Sequence, residues 1–176
     1  MDVLITEAYR KQQEILHKDP SYGSASVQYA PLVAGVMNHM QVTELLDYGA
    51  GKMRLWTALM EQGKVKQAFS YKAYEPADPK HSQAPEPSDM VACIDVLEHV
   101  EPECLDSVLD DLQRLTKRVG LFTVHTEPAK KTLPDGRNAH LIQHDMCWWL
   151  PKFAARFDVH TLQKQSMGFS IFALAK

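Results

Sequence analysis

Cysteine, long apolar runs and net charge are all scarce in this sequence. Its three cysteines, Cys93, Cys104 and Cys147, are too few and too widely spaced for a disulfide framework or a zinc pattern. No run of about 18 uncharged apolar residues occurs, and the N-terminal segment contains acidic residues and lacks the apolar core of a signal peptide. We therefore expect a cytoplasmic protein with reduced cysteines and no membrane segment.

The small net charge limits the class of partner. The 176 residues include 19 lysines and arginines and 22 aspartates and glutamates, which gives a formal net charge of -3. A chain of this balance has no general attraction for a polyanion, so we expect a small-molecule partner rather than a nucleic acid. The apolar share of 45% is enough for one domain with a sizeable core. The sequence does not indicate an oligomeric state.

Helix-like and strand-like hydrophobic patterns alternate along the chain. The predicted helices cover residues 5–17, 28–40, 53–62 and 103–117, with a fifth from about Asp145. The predicted strands cover residues 42–47, 68–74, 90–95, 119–124, 157–162 and 169–175. Such alternation is typical of a mostly parallel α/β sheet flanked by helices, and the last two strands are close enough in sequence to form an antiparallel hairpin. Ligands of these sheets bind beyond the carboxyl ends of the strands.

The first predicted strand ends in Asp47 and is followed by two glycines, Gly49 and Gly51, where a helix begins. Glycines at this spacing let the backbone approach a ligand closely. A nicotinamide dinucleotide site would have a third glycine in place of Arg54, and Asp47 would repel a pyrophosphate. Asp47 can instead attract an ammonium group, while Glu75, at the end of the next strand, can accept hydrogen bonds from both ribose hydroxyls. The pattern predicts a nucleoside ligand that carries a cation.

These motifs resemble those of the class I S-adenosylmethionine-dependent methyltransferases over most of the chain, from residue 42 to residue 176. Asp47 with its glycines is similar to the family's first motif, Glu75 is similar to the acid of the second, and CIDVLEHV at residues 93–100 resembles the branch of ubiquinone-biosynthesis O-methyltransferases. The resemblance implies a single Rossmann-like methyltransferase domain, with N-terminal helices in residues 1–41 and the core in residues 42–176. It also implies S-adenosylmethionine as the cofactor. The implied cofactor-binding residues are Asp47, Gly49, Gly51, Glu75 and Asp95.

The sequence departs from the family pattern at two places. Met53 stands where a third glycine is usual, and about 14 residues separate Glu75 from Met90, too few for the usual helix and strand. We therefore expect one strand of the family's sheet to be missing, and we assign no adenine contacts. The same departures keep open a second hypothesis, in which the domain is an adaptor that binds the cofactor without catalysing a reaction.

A cluster of functional groups follows the predicted strand at residues 90–95. Asp95, Glu98 and His99 are spaced so that they can share one side of a helical turn. Such a set can bind a divalent cation, as in some of the resembling enzymes, but we favour the alternative in which Asp95 lines the cofactor pocket and the other two orient the loop. No metal ligand is assigned. His99 and His125 are the candidate general bases for an acceptor hydroxyl or amine, with a surface or structural role as the alternative.

The polar segment at residues 125–144 is rich in functional groups, and long polar loops in compact domains often bind ligands. We predict that Lys130, Arg137, Asn138 and His140 contact the acceptor, with an ordinary solvated loop as the alternative. Arginine can bind a carboxylate or phosphate through two hydrogen bonds.

The predicted activity is therefore transfer of a methyl group from S-adenosylmethionine to an oxygen or nitrogen atom of a small-molecule acceptor. A further alternative comes from His140 and His144, which together with Glu98 and His99 partly resemble the metal site of small-RNA 3′-terminal 2′-O-methyltransferases. An RNA 2′-O-methyltransferase with a metal-assisted site is thus kept beside the adaptor, although the charge balance disfavours RNA.

Overall fold

The computed structural model describes residues 3–176, which form five helices and six strands. The helices are α1 (Glu7–Leu16), α2 (Ser26–Met40), α3 (Arg54–Gln62), α4 (Leu105–Leu115) and α5 (Met146–Arg156). The strands are β1 (Glu44–Tyr48), β2 (Ser70–Tyr74), β3 (Ser88–Ile94), β4 (Thr116–His125), β5 (Phe157–Gln165) and β6 (Gly168–Ala175). Within this described part, no helix combines the length and the apolar character that a membrane span requires.

The six strands form one mixed sheet in the order β2-β1-β3-β4-β6-β5. The first four strands in that order pair in parallel, and β6 pairs antiparallel with both β4 and β5. The predicted Rossmann-like fold, a mostly parallel sheet flanked by helices with a C-terminal antiparallel hairpin, is confirmed. Residues 75–87, between β2 and β3, form turns and loop.

Every predicted helix and strand is present, but several ends differ from the prediction. One difference is at the junction of α4 and β4, where the helix predicted for residues 103–117 ends at Leu115. Thr116 already belongs to β4, and its hydroxyl donates to the Leu112 carbonyl at 2.7 Å. A β-branched residue favours the strand conformation, so its side chain ends the helix without a loop.

The sheet is covered by apolar layers on both faces. In β3, Met90 and Ala92 pack on the side of α2 and α3, whereas Val91 and Cys93 pack on the side of α4 and α5. Burial on both faces explains why the β3 sequence is a continuous apolar run instead of an alternating one. The sheet is therefore held rigidly, which fixes the positions of the residues at the strand ends.

Removing the Phe122 ring should destabilise this core strongly. The Phe122 side chain is fully buried, and its ring centroid lies 5.3 Å from that of Phe153 and 4.9 Å from that of Phe157. We expect Phe122→Ala to lower the free energy of unfolding by about 3–5 kcal/mol, measured as a lower urea midpoint at an unchanged denaturant slope. Met60→Ala, at an exposed site on α3, should change it by less than about 0.5 kcal/mol. Equal losses in the two variants would contradict this assignment of the core.

Candidate active site

A cavity of about 660 Å³ opens at the edge of the sheet where the carboxyl ends of β1, β2, β3 and β4 meet. Its size lies within the range of small-molecule sites, and its position is where α/β sheets of this type bind ligands. It brings together nine of the eleven residues that the sequence singles out: Asp47, Gly49, Gly51, Glu75, Asp95, His99, His125, Lys130 and His140.

The glycine turn after β1 is bound to the end of β2. The backbone N–H groups of Gly49 and Ala50 both donate to the Tyr74 carbonyl, at 2.8 and 2.9 Å. Gly49 has a φ of 80°, and a Cβ there would lie 2.4 Å from a methyl group of Val96, so no side chain fits. Met53, where the family pattern has a third glycine, has a φ of 55°. A non-glycine residue in this conformation costs about 1–2 kcal/mol, so Met53 adds strain to the turn.

Two buried carboxylates flank the glycine turn. Asp47 is 3% exposed and accepts a hydrogen bond from the Tyr71 hydroxyl. Burial raises the pKa of Asp47 to about 7; the Tyr71 hydrogen bond opposes this shift, and the charge of Glu75 adds to it. Glu75 accepts hydrogen bonds from the N–H groups of Gly51 and Ala77, each at 3.1 Å. No basic side chain in the described part of the chain makes an ion pair with either acid. This end of the cavity therefore suits a cationic ligand.

Asp95 directly follows β3 and has a left-handed backbone conformation, with a φ of 50°. Its backbone N–H donates to the Thr123 hydroxyl oxygen at 2.9 Å, and that hydroxyl donates to an Asp95 carboxylate oxygen at 2.5 Å. Burial raises the pKa of Asp95. The strained backbone is retained at a position that faces the cavity, which is where such strain is commonly found in enzymes.

Glu98 and His99 lie in a short 3₁₀ turn, Leu97–His99, that forms the wall of the cavity beyond β3. Glu98 is fully buried, and one of its oxygens accepts from the His125 N–H at 3.1 Å. Its other oxygen has no hydrogen-bond partner among the described residues. Burial, with the nearby charge of Asp95, raises the pKa of Glu98 well above its ordinary value.

Three histidines from separate segments meet beside Glu98. The ring centroid of His140 lies 4.7 Å from that of His99 and 4.9 Å from that of His125. Burial and the neighbouring His140 lower the pKa of His99 to about 3, and burial also lowers the pKa of His140. His125 is only half-buried and stands at the rim. His99 and His140 therefore offer neutral imidazoles to this end of the cavity.

Arg137 and Asn138, which the sequence places among the acceptor-binding residues, lie outside the cavity. Arg137 is exposed and pairs with Asp135 through two nitrogens, at 2.8 and 2.9 Å. The Asn138 amide bonds to the backbone N–H and carbonyl of Ala129, both at 2.9 Å, and thereby ties the two sides of the loop together. Their polar groups are used within the loop, so neither side chain is placed to bind an acceptor in this cavity.

The N-terminal segment supplies cavity residues that the sequence does not single out, among them Tyr9 and Tyr22. The Tyr9 hydroxyl donates to the His99 carbonyl at 2.5 Å, and the Tyr22 hydroxyl lies 3.4 Å from His99 Nδ1. Lys131 also pairs with Asp19 and so joins the polar loop to the segment between α1 and α2. These partners are 77 to 112 residues apart in sequence, and no local motif marks them.

No protein-family model matches this sequence, and no curated protein sequence matches it either. Solved structures do share its fold. One is 1,6-didemethyltoxoflavin-N1-methyltransferase from Burkholderia thailandensis, solved with 1,6-didemethyltoxoflavin and S-adenosylhomocysteine. It is 16% identical to this chain, with a TM-score of 0.62. The match covers 100% of this chain and 93% of that one. Another is a SAM-dependent methyltransferase from Aquifex aeolicus, with 14% identity and a TM-score of 0.62 over 96% and 98% of the two chains.

A third similar structure is magnesium protoporphyrin IX methyltransferase from Synechocystis PCC 6803, solved with bound SAM. It has 14% identity and a TM-score of 0.59, and the match covers 86% of this chain and 80% of that one. At such low identity the likeness concerns the fold and not the substrate. The chain has the fold of the class I S-adenosylmethionine-dependent methyltransferases.

Proposed function

We propose that this chain is an enzyme that transfers the methyl group of S-adenosylmethionine to an oxygen or nitrogen atom of a small-molecule acceptor. One observation carries the proposal: a single cavity holds the glycine turn with its unpaired acids at one end and a group of histidines at the other. A nucleoside cofactor and an acceptor bound in the same cavity can meet without exposing the reacting atoms to bulk water. The fold alone would not support this activity.

The residues at the first end fit the cofactor. Asp47 offers a carboxylate, without a basic partner in the described chain, to the ammonium group of the methionine part, and Glu75 offers free lone pairs to the ribose hydroxyls. Gly49 and Gly51 let the backbone approach the ligand, and Asp95 lines the neighbouring wall. Bound there, S-adenosylmethionine supplies a methyl group on a positively charged sulfur, which an acceptor lone pair can displace directly.

The residues at the second end fit an acceptor that loses a proton. We assign the general base to His125, because it stands at the rim of the cavity. Its Nδ1 lies 3.1 Å from the Glu127 carbonyl and 3.3 Å from the Glu127 backbone N–H, so each tautomer of the ring has a partner. When Nδ1 donates to that carbonyl, Nε2 keeps the lone pair that takes the acceptor's proton. Lys130 makes no ion pair with a described residue and can attract an anionic group of the acceptor. His99 and His140 form the wall between these groups.

We also propose that the chain is most similar to the branch of ubiquinone-biosynthesis O-methyltransferases, on the motif CIDVLEHV at residues 93–100. That the sheet lacks one strand of the family, because the segment between Glu75 and Met90 is short, stays a prediction. We further propose that the protein works in the cytoplasm as a single domain; its three free cysteines support a reducing compartment.

Neutralising Asp47 should weaken cofactor binding. Asp47→Asn keeps the size of the side chain but removes the charge that pairs with the ammonium group. We expect the affinity for S-adenosylhomocysteine, measured by calorimetry, to fall about tenfold to a hundredfold, which corresponds to one charge-assisted hydrogen bond. Asp89→Asn makes the same change at the amino end of β3, away from the cavity, and should bind as the wild type does. Near-normal affinity in Asp47→Asn would remove the central assignment.

Binding should also depend on pH through Asp47. With a pKa of about 7, set by burial and the charge of Glu75 against the Tyr71 hydrogen bond, Asp47 is mostly protonated at pH 6 and mostly ionised at pH 8. Because the ammonium group binds the ionised form, the wild-type affinity for S-adenosylhomocysteine should be about tenfold weaker at pH 6 than at pH 8. Calorimetry at both pH values should show that Asp47→Asn lacks this difference. Identical pH profiles for the two proteins would contradict it.

Turnover tests the activity itself. The protein is incubated with methyl-labelled S-adenosylmethionine and a small-molecule extract, and the label is followed into product. We expect His125→Ala to lower the turnover rate about a hundredfold, the typical contribution of a general base, while its affinity for S-adenosylhomocysteine stays unchanged. His144→Ala, which removes an exposed ring stacked on Trp148, should leave both unchanged.

Two outcomes of this experiment would contradict the proposal in different ways. Binding of S-adenosylhomocysteine without turnover over broad extracts, with divalent metals supplied, would indicate an adaptor. Label that appears only when RNA is added, with binding that weakens steeply as salt rises, would indicate the RNA methyltransferase.

A further inference from the structure

The Asp47 carboxylate is held by a hydroxyl from the neighbouring strand. The Tyr71 hydroxyl of β2 donates to Asp47 Oδ2, whereas Oδ1 accepts no hydrogen bond from a described residue. Asp47 is buried and lines the cavity. Each carboxylate oxygen has about two lone-pair sites, so Asp47 can accept from a ligand while it is bonded to the tyrosine.

The parallel pairing of β1 with β2 places these two side chains on one face of the sheet. Tyr71 lies opposite Leu45, and Asp47 is two residues beyond Leu45. Residues two apart in a strand point to the same face. Leu45 and Tyr71 both pack in the apolar layer on the side of α2 and α3. The Tyr71 side chain therefore reaches the end of β1 along the face of the sheet that α3 covers.

The ring of Tyr71 packs against Trp56 of α3. The two ring centroids are 5.0 Å apart, and the Trp56 ring lies 6.0 Å from that of Phe69. Tilted aromatic pairs at these separations are favourable. Because α3 begins at Arg54, directly after the glycine turn, Trp56 connects the tyrosine to the same segment that lines the cavity. This packing restricts the ring, so the hydroxyl stays directed at the carboxylate.

The groups around Asp47 have opposite effects on its ionisation. Burial raises the pKa of Asp47 to about 7; the Tyr71 hydrogen bond lowers this pKa, and the charge of Glu75 raises it further. Cys93 of β3 also interacts with Asp47, but burial keeps the pKa of its thiol well above its ordinary value, so it is neutral. Burial and the charge of Asp47 likewise raise the pKa of Tyr71, so the phenol keeps its proton and acts as a donor.

We propose that Tyr71 is a positioning residue for the cofactor: its hydroxyl orients the Asp47 carboxylate and stabilises the ionised form that binds the ammonium group. A neutral donor leaves the negative charge of the site available to a cationic ligand, whereas a lysine or arginine in its place would repel one. Tyr71 is not among the residues that line the cavity, so it acts through Asp47. The positioning role rests on the proposed function, but the effect on Asp47 ionisation does not.

The titration of Asp47 tests the effect of Tyr71 without any ligand. The full chain is labelled with ¹³C-aspartate, and the carboxyl carbon of Asp47, assigned by its loss in Asp47→Asn, is followed by NMR as the pH changes. Tyr71→Phe keeps the ring on Trp56 and removes the hydroxyl. We expect this variant to raise the midpoint of the Asp47 titration by about one to two pH units, which corresponds to one hydrogen bond to a charged group.

Tyr29→Phe is the matched control. It also removes one hydroxyl, but that hydroxyl donates to Gln165 on β5, at the opposite edge of the sheet from β2. The Asp47 midpoint should be the same in Tyr29→Phe as in the wild type. Circular dichroism and the thermal midpoint identify any variant that fails to fold.

Ligand binding tests the positioning role. S-adenosylhomocysteine is titrated by calorimetry at pH 8, where fewer Tyr71→Phe molecules have an ionised Asp47. We expect Tyr71→Phe to bind about twofold to tenfold more weakly than the wild type. In an Asp47→Asn background the same change should alter the affinity by less than about twofold, because both substitutions act through one group. Wild-type affinity in Tyr71→Phe with weak binding in folded Tyr71→Leu would show that the ring matters and not the hydroxyl, and would overturn the proposal.

The two proposals fail separately in these measurements. Equal Asp47 midpoints in the wild type and in folded Tyr71→Phe would overturn the role of Tyr71, even if S-adenosylhomocysteine binds. A raised midpoint in a protein that does not bind S-adenosylhomocysteine would support the effect of Tyr71 on Asp47 and contradict the methyl transfer.

Discussion

The parallel register of β1, β2, β3 and β4 is the constraint on which the rest of the structure depends. It places Asp47 beside Ala92 of β3, and it places Ile94 beside Thr123 of β4. The residues that follow these strand ends therefore reach one edge of the sheet, where the cavity lies. Since apolar layers bury both faces, a shift of register would also disturb the core, so the core protects the alignment of the site.

The cavity concentrates groups that oppose folding. Asp47 and Glu98 are buried carboxylates, and Asp95 has a left-handed backbone. The folded-state pKa of Asp47, about 7, lies above that of an exposed aspartate. Protonated Asp47 therefore stabilises the folded state below about pH 4, and this contribution to the free energy of unfolding is lost as the pH rises through 7. At neutral pH the charge of Asp47 weakens the ligand-free fold. Buried charges and a strained backbone that destabilise the fold are typical of a binding site when they lie beside one cavity, because a bound ligand can offset their free-energy cost.

The sequence singles out the cavity groups at the strand ends and some of those on loops, such as Lys130 and His140, but not contacts that depend on how a loop folds. Asp47, Glu75 and Asp95 are predictable because a strand end has one location in a parallel sheet. Arg137 and Asn138 are not, because their hydrogen bonds to Asp135 and Ala129 depend on how the loop folds back on itself. The contacts of Tyr9 and Tyr22 with His99 depend on the packing of N-terminal segments against a turn 77 to 90 residues away, which no local pattern records.

Glu98 connects the two halves of the proposed acceptor chemistry. One oxygen holds the backbone of His125, the candidate base, while the other is free beside His99 and His140. A change in the position of Glu98 therefore shifts the backbone of His125 and the turn that carries His99 together. Groups that share one partner in this way act as a unit, and the effects of substituting them do not add. The hypothesis that Glu98 only orients the loop accounts for the first oxygen, and it leaves the second oxygen buried without a partner among the described residues.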